Sequence, residues 1–148
     1  MGIATKKGDL GQTSIKDLCL TKDDITIELL GTIDETIANL IVVYNLLKVE
    51  EIKLIVNDLS LFASIIADYK QSFDKKLIIK LDTKIASHQA TFRFSYPYDD
   101  YDKSIINITR TVVRRLERTY WKYCQDHNVK QDIAAYLNRL SDYLYTFL

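Results

Sequence analysis

Four arginines and one glutamate crowd into nine residues, Arg110-Thr111-Val112-Val113-Arg114-Arg115-Leu116-Glu117-Arg118. At helical spacing Arg110, Arg114, Glu117 and Arg118 fall within roughly 100° of arc. Ile105, Val112, Leu116 and Tyr123 are then expected on the opposite, core-facing side. Guanidinium groups present forked donors suited to carboxylate or phosphate, so the stripe is a candidate anion-binding face. A solvated face or an ion-pair network between subunits has the same pattern. A second candidate is Thr5-Lys6-Lys7-Gly8-Asp9-Leu10-Gly11-Gln12-Thr13-Ser14, which mixes small residues, hydroxyls and cations without apolar periodicity. A glycine-rich backbone offers N–H groups to phosphate oxygens and lysine adds point charge, although a flexible leader reads the same way. Third, Asn138, Ser141, Asp142 and Tyr145 share a polar side of a late helix, away from Ile133, Leu137 and Leu144. Asp34 stands beside Glu35 in an otherwise apolar stretch, where a charge complementing a helix N-terminus is the plainest reading.

Helices must position these groups. Past about Asp23 the chain holds one glycine, Gly31, and one proline, Pro97, too few for the turns of a many-stranded protein. Ile33, Ile37, Leu40, Tyr44 and Leu47 repeat with helical period. Ile52, Ile55/Val56, Leu59, Phe62/Ala63 and Ile66 mark a second helix, and Leu77, Leu81 and Ile85 a third that opens near Ser72–Asp74. A connecting loop is expected over 90–102, a fourth helix from about Lys103 to His127, and a fifth along Ile133, Leu137, Leu140, Leu144 and Phe147. The expectation is an all-α, five-helix bundle forming one domain over residues 1–148.

Composition narrows the chemistry. The chain has 148 residues, 47% hydrophobic and 27% charged, with 20 basic and 20 acidic side chains. Such balance recommends neither nucleic acid nor an anionic membrane as a partner. Its longest uncharged stretch, Thr36 to Leu47, is 12 residues, short of the ~20 that span a bilayer. The first residues carry no secretory signal, so a cytoplasmic location is expected. Cys19 and Cys124 stand alone, His88 and His127 have no ligand partners at helical spacing, and no Glu-x-x-His, HExxH, GxSxG or P-loop motif occurs.

Taken in order, TKKGDLGQTS, TKDD, GTIDE, RTVVRRLER and YLNRLSD resemble the blocks of the PduO-type ATP:cob(I)alamin (corrinoid) adenosyltransferases. That family carries T-K/R-x-G-D-x-G-x-S/T-S/T, K-D-D, G-x-x-D-E, A-R-T-x-x-R-R-x-E-R and N-R-L-S-D. The five blocks run from residue 5 to residue 142. The resemblance implies a ferritin-like five-helix bundle assembled as a homotrimer, with active sites between subunits and residues 1–22 as the ATP-binding loop segment. By the same resemblance Thr5, Lys6, Lys7, Gly8, Thr13, Ser14 and Lys22 would contact ATP, and Arg114, Arg115, Glu117, Arg118 and Asn138 would complete the nucleotide site. Asp34 and Arg110 match a subunit-bridging ion pair, and Arg114 the arginine regarded as catalytic. Phe94 matches a phenylalanine that packs below the cobalt of the corrinoid.

The implied reaction suits these residue types. Reduced Co(I) is itself the nucleophile at the 5′ carbon of ATP, and triphosphate leaves, so the protein needs no nucleophile or general base of its own. It must align the reactants and stabilise charge on the triphosphate, with Mg²⁺, Lys and Arg as the means. A Co(II) reductase and an adenosylcobalamin-dependent enzyme are the implied partners. Two departures leave a second reading open. Tyr98 and Asp99 replace two family glycines after Pro97, and the chain is shorter than is typical, in the helix 1–2 region and beyond the fifth helix. A catalytically lapsed relative that binds ATP or corrinoid as a sensor, delivery or assembly protein would share the remaining blocks.

Overall fold

The computed structural model describes residues 4, 6–69, 72–93, 96–128 and 130–148. A short hairpin, β1 (Gln12–Ile15) and β2 (Leu18–Thr21), precedes five helices: α1 (Ile25–Leu47), α2 (Glu50–Ile66), α3 (Lys76–His88), α4 (Tyr101–Tyr123) and α5 (Gln131–Tyr145). The all-α expectation is thus corrected by one antiparallel pair, in which Ile15 faces Leu18 across the two-residue loop Lys16–Asp17. Such loops demand positive φ, and Lys16 supplies it at φ 49° without being glycine. Anchoring explains why the strain is tolerated. The Lys16 ammonium donates to the Asp68 carbonyl, and sits 4.4 Å from the centroid of the Tyr69 ring.

Helix ends follow local chemistry. Asp24 caps α1, its carboxylate accepting from Thr26 N at 2.7 Å, and this bond chiefly holds its pKa below the usual carboxylate value. Because α1 begins at Ile25, Asp34 lies in its third turn and is exposed. The dipole reading of Asp34 is therefore wrong, and Asp24 fills that role. Lys48, left-handed at φ 53°, turns the chain into α2. Asp100 caps α4, accepting from Lys103 N at 2.9 Å, so that helix starts two residues before its expected position and ends at Tyr123 rather than His127.

The core draws on α1, α2, α4 and α5, with Leu81 alone fully committed from α3. Its threonines Thr32, Thr36 and Thr109 are buried because each hydroxyl donates to the carbonyl four residues earlier, at 2.8, 2.7 and 3.0 Å. On α4 the buried stripe is Ile106, Thr109, Val113, Leu116 and Tyr120, while Ile105, Val112 and Tyr123 are only half-buried. The inward direction is rotated by about 60° from the expected one, because α4 packs against both α1 and α5. This rotation leaves Arg110 and Glu117 half-buried on the flank, with Arg114 and Arg118 exposed.

One polar pair joins a core tyrosine to a half-buried carboxylate. Tyr136, 1% exposed, donates to Asp58 Oδ2 at 2.8 Å. Burial, the largest influence on Asp58, raises its pKa against the opposing effects of Tyr136 and Lys80. A raised carboxylate pKa penalises folding above the unfolded pKa and not below it. Asp58→Asn, which mimics the protonated acid, should therefore melt at a higher temperature than wild type at neutral pH. The gain should vanish below the ordinary carboxylate range. Thermal melts across this pH span check it, and a lower melting temperature at neutral pH would refute it.

Candidate functional site

The first cluster of expected residues is built by the turn that leads into the hairpin. Lys6 (φ 57°) and Gly11 (φ 77°) take left-handed conformations. Asp9 N donates to Lys6 O, Gly11 N to Gly8 O and Lys22 N to Gly11 O at 3.3, 3.2 and 2.9 Å, folding the segment back onto the end of β2. Gly8 lies close against the Lys22 side chain: a Cβ there would stand 3.1 Å from Lys22 Nζ and 3.3 Å from its Cε. Gly8 and Lys22, fourteen residues apart in sequence, thus become neighbours. Lys6, Lys7 and Ser14 are exposed and Thr13 is half-buried. Among the described residues no carboxylate pairs with Lys6, Lys7 or Lys22. Thr5 lies outside the described residues.

The second cluster lies on α4. Arg110 and Arg114 line one cleft of about 340 Å³ together with Asn107, Tyr96, Phe92 and Tyr145. Asn107 Oδ1 accepts from Arg110 Nε at 3.0 Å, and the Arg110 guanidinium sits 5.9 Å from the Tyr145 ring centroid. An adjoining hollow adds Ser141 and Asp142 of α5. Ser141 is nevertheless 3% exposed and donates to the Asn138 carbonyl at 3.0 Å, so the expectation that it faces away from the apolar stripe is corrected. Among the described residues, no carboxylate pairs with Arg110, Arg114 or Arg118. Unpaired guanidiniums at the wall of a cleft are poised to receive an anion.

Other expected residues are not drawn into the cleft. Arg115 turns to Glu35 of α1. Asn138 Oδ1 accepts from Arg139 Nη1 at 2.9 Å, and Arg139 Nε reaches Asp82 of α3 at 2.8 Å. Asp34 meets no partner cation within the described chain. Phe94 lies outside the described residues. Tyr145, expected on the polar side of the fifth helix, lines the cleft, whereas Phe92, Arg93 and Asn107 are not marked by the sequence as site residues; the only signal for Asn107 is helical spacing, three residues before Arg110.

The two clusters also stand apart. The hairpin is tied to the end of α2 through Lys16 and Asp68, and His127, just past α4, acts on the Asp24 carboxylate that follows β2. Arg110 lies 13 residues before the end of α4, about 20 Å along its axis at 1.5 Å per residue. A separate apolar groove between α2 and α3, of about 360 Å³ and floored by Ile55, Leu81 and Tyr143, carries none of the expected site residues.

The helical bundle thus carries a cation-rich turn ahead of α1 and an aromatic cleft walled by Arg110 and Arg114, which pair with no carboxylate among the described residues. Residues 3–148 match the cobalamin adenosyltransferase family, and the chain belongs to it. It is 29% identical over 163 residues to the corrinoid adenosyltransferase of Bacillus subtilis (strain 168), covering 98% of this chain and 83% of the relative. The corrinoid adenosyltransferase of Citrobacter freundii is 28% identical over 160 residues, with 97% and 91% covered. A variant PduO-type ATP:corrinoid adenosyltransferase from Lactobacillus reuteri, complexed with cobalamin and ATP, superposes with a TM-score of 0.86 at 26% identity, covering 99% of this chain and 91% of that one. Another variant from the same organism, complexed with ATP, superposes with a TM-score of 0.87 at 27% identity, covering 98% and 91%. No helix among the described residues is long and apolar enough to cross a membrane.

Proposed function

We propose that the protein transfers the 5′-deoxyadenosyl group of ATP to the Co(I) of a reduced corrinoid such as cobalamin, releasing triphosphate and forming adenosylcobalamin. The observation that carries this reading is the placing of Arg110 and Arg114 in one aromatic-lined cleft, with no carboxylate partner among the described residues. Membership of the adenosyltransferase family over nearly the whole chain supports it. In this reading Thr5, Lys6, Lys7, Gly8, Thr13, Ser14 and Lys22 hold the phosphates from the turn. Arg114, Arg115, Glu117, Arg118 and Asn138 complete the nucleotide site, and Phe94 serves the corrinoid. The residues supply alignment and charge stabilisation, because the bond is made by cobalt and broken at the triphosphate. Among the described residues no three His, Cys, Asp or Glu side chains converge to cage a metal ion. A Mg²⁺ would therefore enter on the triphosphate oxygens, as it commonly does at nucleotide sites.

The working unit in this proposal is a homotrimer of single-domain subunits, with the turn of one subunit facing the arginine cleft of the next. The separation of the two clusters along α4 supports that arrangement. So does the level of Asp34, which lies beside the Glu35–Arg115 pair rather than beside Arg110. Ile41, Val42 and Ile108 add exposed apolar surface on α1 and α4. We place the enzyme in the cytoplasm, supplied by a Co(II) reductase and serving an adenosylcobalamin-dependent enzyme.

The test is an anaerobic assay with pre-reduced cobalamin. Loss of the Co(I) absorbance should require both protein and MgATP, and AMP should not substitute for ATP. A protein that binds MgATP and corrinoid yet transfers nothing would overturn the enzyme reading in favour of a lapsed binding relative.

A further inference from the structure

One wall of the cleft is formed by Phe92 and Arg93, just after α3, and Tyr145 binds both. Tyr145 is the last residue of α5. Its hydroxyl accepts from Arg93 N at 2.9 Å and donates to the Arg93 carbonyl, so both polar groups of one residue's backbone are bound by one phenol. Its ring stacks on Phe92, with centroids 5.3 Å apart and planes 22° from parallel, and also receives the Arg110 guanidinium. These four groups line the same cleft. A tyrosine has few torsions to lose, and a cation over its face is attracted by the ring quadrupole.

We infer that Tyr145 is a positioning residue: it sets Phe92 and Arg93 against the arginine face of α4, and thereby fixes the shape of the corrinoid side of the site. This rests on the adenosyltransferase reading above. The corrinoid rather than ATP is the substrate concerned, because the walls Tyr145 organises are the aromatic rings of Phe92 and Tyr145. Aromatic walls suit a large, flat, largely apolar macrocycle, whereas the triphosphate is served by Arg114 on the α4 wall of the cleft, which Tyr145 does not hold.

Tyr145→Phe separates the hydroxyl from the ring, keeping the stack and the cation contact. In the unliganded protein, hydrogen exchange at the Arg93 amide should accelerate roughly tenfold, the scale of one net hydrogen bond. The KM for cob(I)alamin should rise by a similar factor while the KM for ATP stays within about twofold. A purely structural role would instead lower the melting temperature and leave both KM values alone. Cobalamin binding, followed by quenching of protein fluorescence, gives a readout that does not depend on transfer. A wild-type protein that neither transfers nor binds cobalamin overturns the functional reading, and this inference with it. An active wild type, with Tyr145→Phe indistinguishable from it in Arg93 exchange or in corrinoid KM, overturns this inference alone.

Discussion

Arg114→Ala is expected to bind MgATP close to wild-type affinity and to transfer the adenosyl group about 10²–10³ times more slowly. Arg114 is exposed at the cleft and holds no carboxylate among the described residues, so its charge is available when the C5′–O bond breaks and charge grows on the triphosphate. An interaction that strengthens only in the transition state is read in kcat, and its loss leaves KM nearly unchanged. Arg114→Lys should recover little, because an ammonium is a point charge without the guanidinium fork. Single-turnover transfer beside equilibrium ATP binding provides the measurement. Parallel losses in both would assign Arg114 to ground-state binding instead.

Asp34→Ala should break the assembly rather than the subunit. Within one chain Asp34 is exposed and, among the described residues, Arg110 contacts Asn107 and the Tyr145 ring and pairs with no carboxylate. Asp34 can leave without disturbing the core, which lies on the Leu29, Ile33 and Leu40 side of α1. Across a subunit boundary the pair would be desolvated, and removing one partner strands the other, at about 3–5 kcal/mol. Analytical ultracentrifugation should find wild type near three times 17.2 kDa and Asp34→Ala shifted toward monomer, with transfer falling as the trimer is lost. Helical content should be unchanged. A wild type that sediments as a stable monomer would refute the inter-subunit site.

The amino-acid sequence by itself determined the helical elements and the residue classes available for chemistry. With Gly31 and Pro97 the only breakers past the N-terminal segment, apolar residues at 3.6-residue spacing left five helices as the consistent solution, and those helices stand within a few residues of their expected limits. The ordered blocks from Thr5 to Asp142 likewise carried the family, since short motifs at fixed positions are a property of the chain and not of its packing. The hairpin was not legible, because four-residue strands with exposed faces and a Lys16–Asp17 turn lack both the glycine and the apolar alternation that announce one. Its turn is met by Asp68 and Tyr69, which reach Lys16 from the end of α2, a contact between distant segments.

Only the tertiary structure decided how the site residues sort. The spacing of the arginines showed that they share a face; which arc of α4 turns inward depends on α1 and α5 together. That rotation put Arg110 and Arg114 into a cleft and sent Arg115 to Glu35. Tyr145 and Arg93 are 52 residues apart, and nothing in their neighbourhoods marks them as partners. Periodicity is a local signal that reports which positions can be buried. Contacts between distant segments are settled by packing, where each helix satisfies two or three neighbours at once.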